Sequence, residues 1–174
     1  PVSILERAYA AGIDIIDIPL AVFDEALSRD RGLAREERVA ALARARTIFP
    51  RWSVTSTLMA GEEPSCATIA GIDFLLGQGI VPLLEVSPRA DHCPVEEVDA
   101  VFTHLAKEWR RHRVVITHLI PLLHATTPLV PEKPKGRVRV FIERVYDRQL
   151  LATSDLRRSL RVRQVEESFE SAGL

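Results

Sequence analysis

Cysteine and net charge are both scarce in this chain of 174 residues. The two cysteines, Cys66 and Cys93, lie 27 positions apart, which is not the spacing of a metal-binding pair. So few cysteines are typical of a cytoplasmic protein in a reducing compartment, and we expect ordinary thiols. The formal net charge is −1, so the field of the whole molecule argues neither for nor against nucleic acid, and any basic patch must be local. We expect no nucleic-acid partner.

Long hydrophobic runs and the signature motifs of common enzyme classes are also missing. The most apolar window, 114–130, contains two prolines and is shorter than the ~20 residues that a membrane helix needs. There is no G-x-S-x-G, no G-x-x-x-x-G-K-[ST] and no G-x-G-x-x-G motif. The five histidines come no closer than six positions apart, so the local sequence predicts no metal site.

What the chain does contain is a central stretch, 52–88, with the pattern of a βαβ unit. Residues 52–59 are β-branched and apolar, and Gly61 ends that run. The four residues 62–65 (Glu-Glu-Pro-Ser) open a helix, because carboxylates are favoured at the positive end of the helix dipole. Residues 80–86 form a continuous apolar run, typical of a strand buried on both faces. The pattern therefore predicts a parallel sheet.

Residues 2–112 as a whole alternate between helix and strand, with strands expected near 13–18, 52–60 and 80–86. This alternation predicts an α/β domain of parallel βα repeats over 1–112. Because a helix is already predicted to begin by Ile4, we expect the chain to be part of a longer protein.

The remainder of the chain has a different character. Residues 113–136 combine an apolar segment with a linker rich in proline and lysine, and 137–174 form a basic amphipathic tail with helical features. Within 137–163, eight arginines stand against three acids, a surplus of 8 − 3 = +5. Such a tail suits RNA, anionic lipid or an acidic partner, although the solvated face of a docking helix is the more common role.

Two acidic residues are candidate catalytic groups. Asp17 ends the first predicted strand, and ligands gather at the carboxyl ends of parallel strands. An acid that caps the next helix or pairs with an arginine is, however, more common there. Glu85 lies among Ile, Val and Leu, so its carboxylate must be paired or have a raised pKa. Together with His92, itself more often a surface histidine, these acids suit a TIM-barrel-like lyase or isomerase.

Several short motifs occur in a fixed order between residues 4 and 92, about half of the chain. The motifs are Ala11-Gly12-Ile13-Asp14, Pro19-Leu20-Ala21-Val22-Phe23-Asp24, Gly61-Glu62-Glu63-Pro64, Gly71-Ile72-Asp73-Phe74-Leu75 and Gly79-Ile80-Val81-Pro82. In this order and spacing they resemble the C-terminal half of the radical S-adenosylmethionine enzymes, particularly the biotin-synthase-like branch that includes the aromatic-amino-acid lyases.

The resemblance implies a partial (βα)6 TIM-like barrel whose last strands form the S-adenosylmethionine pocket. It implies that Gly61 and Glu63 shape the turn beside the cofactor, and that Arg38 faces the cofactor's carboxylate. It also implies that backbone near Val81 and Leu83 lies against the adenine. These roles are physically reasonable, because glycine permits close backbone approach and arginine binds a carboxylate through two parallel hydrogen bonds.

This sequence departs from the family pattern in two places. Ala21 stands where the family has a glutamate, and the C-x3-C-x2-C motif that holds the [4Fe–4S] cluster is absent. Two cysteines cannot supply three thiolate ligands. We therefore expect a chain that contributes walls for S-adenosylmethionine and a small-molecule substrate. The iron–sulfur cluster would come from a partner or an upstream part, so activity is not expected from this chain alone.

The predicted sheet has an open edge, which favours a second chain or self-association into an oligomer. Two other interpretations stay open at this point. One is a non-catalytic, barrel-like module that docks a partner through its basic tail. The other is the lyase or isomerase described above.

Overall fold

The structure of the protein is a computed structural model, which describes residues 3–88 and 93–114 and the single positions 119, 163, 167 and 171. Helices and strands alternate through most of this range, as the sequence pattern predicts. The helices are α1 (Ile4–Ala10), α2 (Glu25–Asp30), α3 (Arg35–Ile48), α4 (Ser65–Gly77) and α5 (Val95–His112), and the strands are β1 (Ile16–Asp17), β2 (Val54–Ala60) and β3 (Val81–Val86).

The three described strands form one parallel sheet in the order β1-β2-β3. Asp17 lies beside Thr55, and the pairing of β2 with β3 runs from Thr55 and Val81 to Ala60 and Val86. The prediction of an α/β fold with a parallel sheet is confirmed for this part of the chain. An open sheet accounts for these pairings, and barrel closure is not needed to explain them.

Helix α4 packs on one face of the sheet at a position where only glycine fits. A Cβ atom placed on Gly71 would lie 2.8 Å from Phe23 Cβ and 3.2 Å from Leu58 Cδ1. The face of the sheet that contains Leu58 is therefore the face covered by α4. On its other side α4 packs against α5, and α3 contacts β2. The core between these layers includes the fully buried residues Leu42, Leu58, Ile72, Leu75, Leu84 and Leu105.

Strand β1 is shorter and more exposed than the buried strand that the sequence predicts over 13–18. The N–H of Ile13 donates to the Ala8 carbonyl, so the end of α1 still holds this residue, and Ile13 is 46% exposed. Pro19 has no N–H to donate, and the next N–H, that of Leu20, donates to the side chain of Ser56. Beyond this interruption, Ala21 pairs with Leu58 of β2 through an isolated parallel β-bridge.

Several predictions concern residues outside the described part of the chain. They are the loop residue His92, most of the apolar segment and linker, and the basic tail with its docking role. Within the described residues, no helix combines the length and apolar character that crossing a membrane requires.

Candidate functional site

The parallel register divides the polar side chains of the sheet between its two faces. Successive side chains of a strand point to opposite faces, so residues paired across strands share a face. Asp17, Thr55 and Thr57 share one face, and Met59 and Glu85 continue it toward the carboxyl edge. This face, opposite to the one that α4 covers, is called here the polar face.

Asp17 is held by two hydroxyl groups on the polar face. The Thr55 hydroxyl donates to Asp17 Oδ1 over 2.6 Å, and the Thr57 hydroxyl lies 3.3 Å from Oδ2 and 3.4 Å from Oδ1. Asp17 itself is exposed, whereas Thr55 is 0% and Thr57 7% exposed. Neither of the common roles considered for Asp17 is found among the described residues, since it neither caps α2 nor pairs with an arginine.

Glu85 lies on the polar face as well, but it is not close to Asp17. Asp17 pairs with Thr55, and Glu85 pairs with Met59, four residues farther along β2. At about 3.3 Å per residue and about 4.8 Å per strand, the two acids are about 13 Å apart along the strands and about 9.6 Å across them. Glu85 is half-buried and lies near the carboxyl edge. The two acids therefore do not form one hydrogen-bonded pair.

Glu63 joins two segments that are distant in the sequence. It follows β2, it is 7% exposed, and its Oε2 accepts hydrogen bonds from the backbone N–H groups of Phe23 (2.8 Å) and Asp24 (2.7 Å). Its Oε1 accepts the Thr68 hydroxyl over 3.1 Å. The side chain thus links the turn before α4 to the segment that leads into α2. The sequence predicts a carboxylate that favours the start of its own helix; the structure shows one that holds another loop.

Burial raises the pKa of Glu63 above its ordinary value of 4.5, and the bonds from Asp24, Phe23 and Thr68 oppose that rise. A carboxyl group with a raised pKa holds its proton more tightly in the folded than in the unfolded chain. Its contribution to the free energy of unfolding is therefore complete below the unfolded-state pKa, and it is lost as pH rises through the folded-state pKa.

We expect urea denaturation of the wild type and of Glu63→Gln to show this dependence as pH rises above the ordinary value of 4.5. The stability of the wild type relative to the variant should fall with pH, by at most about 1.4 kcal/mol per pH unit for one proton. A difference that stays constant, or that grows with pH, would contradict the raised pKa.

A second acid of the same turn joins the carboxyl ends of β2 and β3. Glu62 accepts hydrogen bonds from the Arg31 guanidinium through Oε1 and from the Ser87 hydroxyl through Oε2. Its side chain is 6% exposed. Arg31 directly follows α2, so the ion pair adds a third segment to this edge. The adjacent residues Glu62 and Glu63 therefore bind the segments on both sides of the β2–α4 turn: Glu63 binds the segment before α2, and Glu62 binds the residue after β3.

The residues predicted to contact a cofactor fall into two groups. Gly61 starts the β2–α4 turn with φ of +84°, a left-handed conformation that favours glycine, and Glu63 lies in the same turn. Arg38 of α3 donates from Nη1 to the Pro19 carbonyl over 2.6 Å, just after β1. Val81 and Leu83 are 0% exposed as whole residues, so their backbone is buried together with their side chains.

Ala21, which occupies the position of the family's glutamate, adopts an unusual backbone conformation. Its φ is +66°, although it has a side chain, while its N–H donates to Thr57 and its carbonyl accepts from Met59. Left-handed backbone is unfavourable by about 1–2 kcal/mol for an L-residue. The strain lies at the carboxyl edge, beside the loop that Glu63 holds.

The described residues include no group of three or more His, Cys, Asp or Glu side chains placed to hold a metal ion. Cys66 and Cys93 are free thiols, as expected, although Cys66 is exposed and not packed inside. The residues present therefore do not fit an iron–sulfur cluster, which needs at least three thiolates.

The site also contains five residues that were not predicted as site residues from the sequence: Thr55, Thr57, Glu62, Arg31 and Ser87. A signal for the first two was present, because Thr55-Ser56-Thr57 places three consecutive hydroxyls in a strand that is otherwise apolar. Buried hydroxyls need partners, so such a run in a central strand indicates polar neighbours on both faces.

No family model matches this chain, and neither the curated proteins nor the solved structures contain a match to it. The fold and the site define an α/β protein with a parallel sheet, a polar sheet face and a carboxyl edge held together by two adjacent glutamates.

Proposed function

We propose that the carboxyl edge of this sheet binds S-adenosylmethionine, and that the chain supplies this pocket to a radical S-adenosylmethionine enzyme. The observation that carries the proposal is the pair of hydrogen bonds that the backbone N–H groups of Phe23 and Asp24 donate to Glu63. Two of the motifs on which the resemblance depends, 19–24 and 61–64, are joined directly by these bonds. The bonds are more specific than the proximity that neighbouring parallel strands give to the segments that follow them.

Each predicted contact has a chemical role at this edge. Arg38 lies beside Pro19 at the end of β1, where the remaining donors of its guanidinium suit the carboxylate of the cofactor. Gly61 has no side chain to obstruct a ligand at the turn, and backbone groups toward the end of β3 suit the edge of an adenine. A polar face with an exposed carboxylate leaves room for a small-molecule substrate next to the cofactor.

In this proposal the iron–sulfur cluster is bound by a partner chain or an upstream part and not by this chain. A [4Fe–4S] cluster, when bound by three thiolates, supplies the electron that cleaves S-adenosylmethionine, and this chain lacks those thiolates. A partner chain or an upstream part would supply them. The outer edge of β1 suits such a partner, because the described sheet ends there and backbone groups of an edge strand accept another strand. A partial (βα)6 barrel is the arrangement that this partner would complete.

Arg38→Ala tests the pocket. We expect the complex that the chain forms in its own host, purified without oxygen, to bind S-adenosylmethionine in isothermal titration calorimetry. Loss of a charge-assisted hydrogen bond is worth about 1.5–3 kcal/mol, so the variant should bind about 10- to 150-fold more weakly.

Arg44→Ala is the matched control, because Arg44 lies on the same helix but binds Glu6 at an exposed position. It should bind as the wild type does. Arg38→Lys keeps the charge without the two-pronged donor and should bind with intermediate affinity. Absence of binding by the wild-type complex, or equal binding by the two alanine variants, would overturn the proposal.

A further inference from the structure

We propose that Asp17, Thr55 and Thr57 form a binding site for the primary ammonium group of a small molecule. This inference concerns the polar face and is independent of the cofactor assigned above to the carboxyl edge. It starts from an exposed carboxylate that two buried hydroxyls hold in a fixed orientation.

The two threonines stand where a buried parallel strand ordinarily has valine or isoleucine. Thr55 and Thr57 are almost fully buried, so each hydroxyl loses its water and needs a protein partner. Both find that partner in the carboxylate of Asp17, while Ser56 between them serves the Leu20 N–H. Valine would fill the same volume without needing a partner. The Thr55 hydroxyl also lies 3.4 Å from the Ile16 carbonyl, but its short bond goes to Asp17, so the main use of the two hydroxyls is to orient Asp17.

The oriented carboxylate still has acceptor capacity. An ionised carboxylate offers about four lone-pair sites, and two hydroxyl protons occupy at most two of them. Oδ1 receives the short bond from Thr55, whereas the Thr57 contact to Oδ2 is 3.3 Å long. Oδ2 is therefore the atom best placed to accept a strong bond from a ligand. Among the residues that the structure describes, no cationic side chain forms an ion pair with Asp17, so its charge is balanced by none of them.

The same geometry selects the kind of cation. A guanidinium binds a carboxylate best through both oxygens at once, and the 2.6 Å bond from Thr55 leaves only one of the two lone-pair sites of Oδ1 for such a contact. A primary ammonium is a compact charge that binds through a single donor to Oδ2 and leaves its other two donors to water. A divalent metal prefers several oxygen ligands, and only one carboxylate is present here.

Nuclear magnetic resonance titration tests the site with n-butylammonium chloride as the probe. We expect a saturable shift of the Thr55 and Thr57 methyl resonances, with a dissociation constant in the millimolar range that is normal for so small a ligand. Sodium chloride, n-butanol and sodium butyrate at the same concentrations should give no saturable shift. Butylguanidinium should bind at least several-fold more weakly than butylammonium.

Two variants separate charge from orientation. Asp17→Asn removes the charge and should weaken binding of butylammonium at least 10-fold. Thr57→Val keeps the charge, fills the same volume and should weaken binding about 3- to 10-fold, so the proposal stays testable if Asp17→Asn does not fold. The amide spectrum of each variant checks its fold. No saturable shift with butylammonium, an equal shift with sodium chloride or n-butanol, or unchanged affinity in Thr57→Val would overturn the proposal.

Discussion

Glu63→Ala is expected to lower the free energy of unfolding by about 2–4 kcal/mol, because it leaves two backbone N–H groups without their acceptor. These are the N–H groups of Phe23 and Asp24, in a partly buried segment, and the Thr68 hydroxyl loses its acceptor as well. Each charge-assisted bond of this kind is worth about 1.5–3 kcal/mol, and partial access of water reduces the sum. Urea denaturation followed by circular dichroism measures the change.

The amide of Glu63→Gln keeps an oxygen for the two N–H groups and gains donors for the Thr68 oxygen, so a loss below about 1.5 kcal/mol is expected. Glu25→Ala is the control, since Glu25 forms only an exposed ion pair with Arg29 and should change stability by less than about 0.5 kcal/mol. If Glu63→Ala were no more destabilising than Glu25→Ala, the link between the two loops would not be structural.

Gly71→Ala is expected to destabilise the fold by about 1–3 kcal/mol, since a well-packed contact has no room for another methyl group. The new Cβ would meet Phe23 Cβ at 2.8 Å and Phe23 Cγ at 2.9 Å. Phe23 cannot easily move away, because its N–H binds Glu63 and its ring packs against Phe74 and the Arg35 guanidinium. The substitution therefore also displaces the loop that Glu63 holds, and it should weaken ligand binding at the carboxyl edge.

Gly77→Ala is the matched control on the same helix, because a Cβ there would meet nothing within 4 Å. Alanine favours helix over glycine by up to about 1 kcal/mol, so this variant should be neutral or slightly more stable. Thermal denaturation of the two variants side by side separates crowding from helix propensity. A Gly71→Ala protein as stable as Gly77→Ala would show that α4 and the loop are not closely packed.

The α/β order of this chain could be predicted because its signals are local. The apolar run before Gly61 and the apolar run 80–86 each carry their own pattern, and they became β2 and β3 close to the predicted limits. Strand β1 was predicted less well, because its length depends on contacts with other segments. The Ala8 carbonyl holds Ile13 at one end, and the Ser56 hydroxyl binds Leu20 at the other. Neither contact can be predicted from the apolar pattern of residues 13–18.

At the site, too, the features with a local sequence signal were predicted, and those that depend on contacts between distant segments were not. The sequence placed Gly61 and Glu63 in a turn at the carboxyl edge, and the structure agrees. That Glu63 binds the backbone of Phe23 could not be predicted, because a carboxylate before a helix is explained equally well by the helix dipole. Asp17 ends β1, as predicted, but the register places it beside Thr55, five residues before the end of β2 and away from the carboxyl edge of the sheet. Strand order and register depend on the whole fold and cannot be read from the sequence of a single strand.

We propose that this chain completes a radical S-adenosylmethionine enzyme, and oxygen-free purification of the tagged chain from its own host tests this proposal most directly. Iron and sulfide analysis, with mass spectrometric identification of everything that accompanies the chain, is the measurement. We expect about four irons per complex, on a polypeptide region that contains a C-x3-C-x2-C motif and remains bound in stoichiometric amount. An iron-free preparation, or iron that does not accompany such a motif, would contradict the proposal.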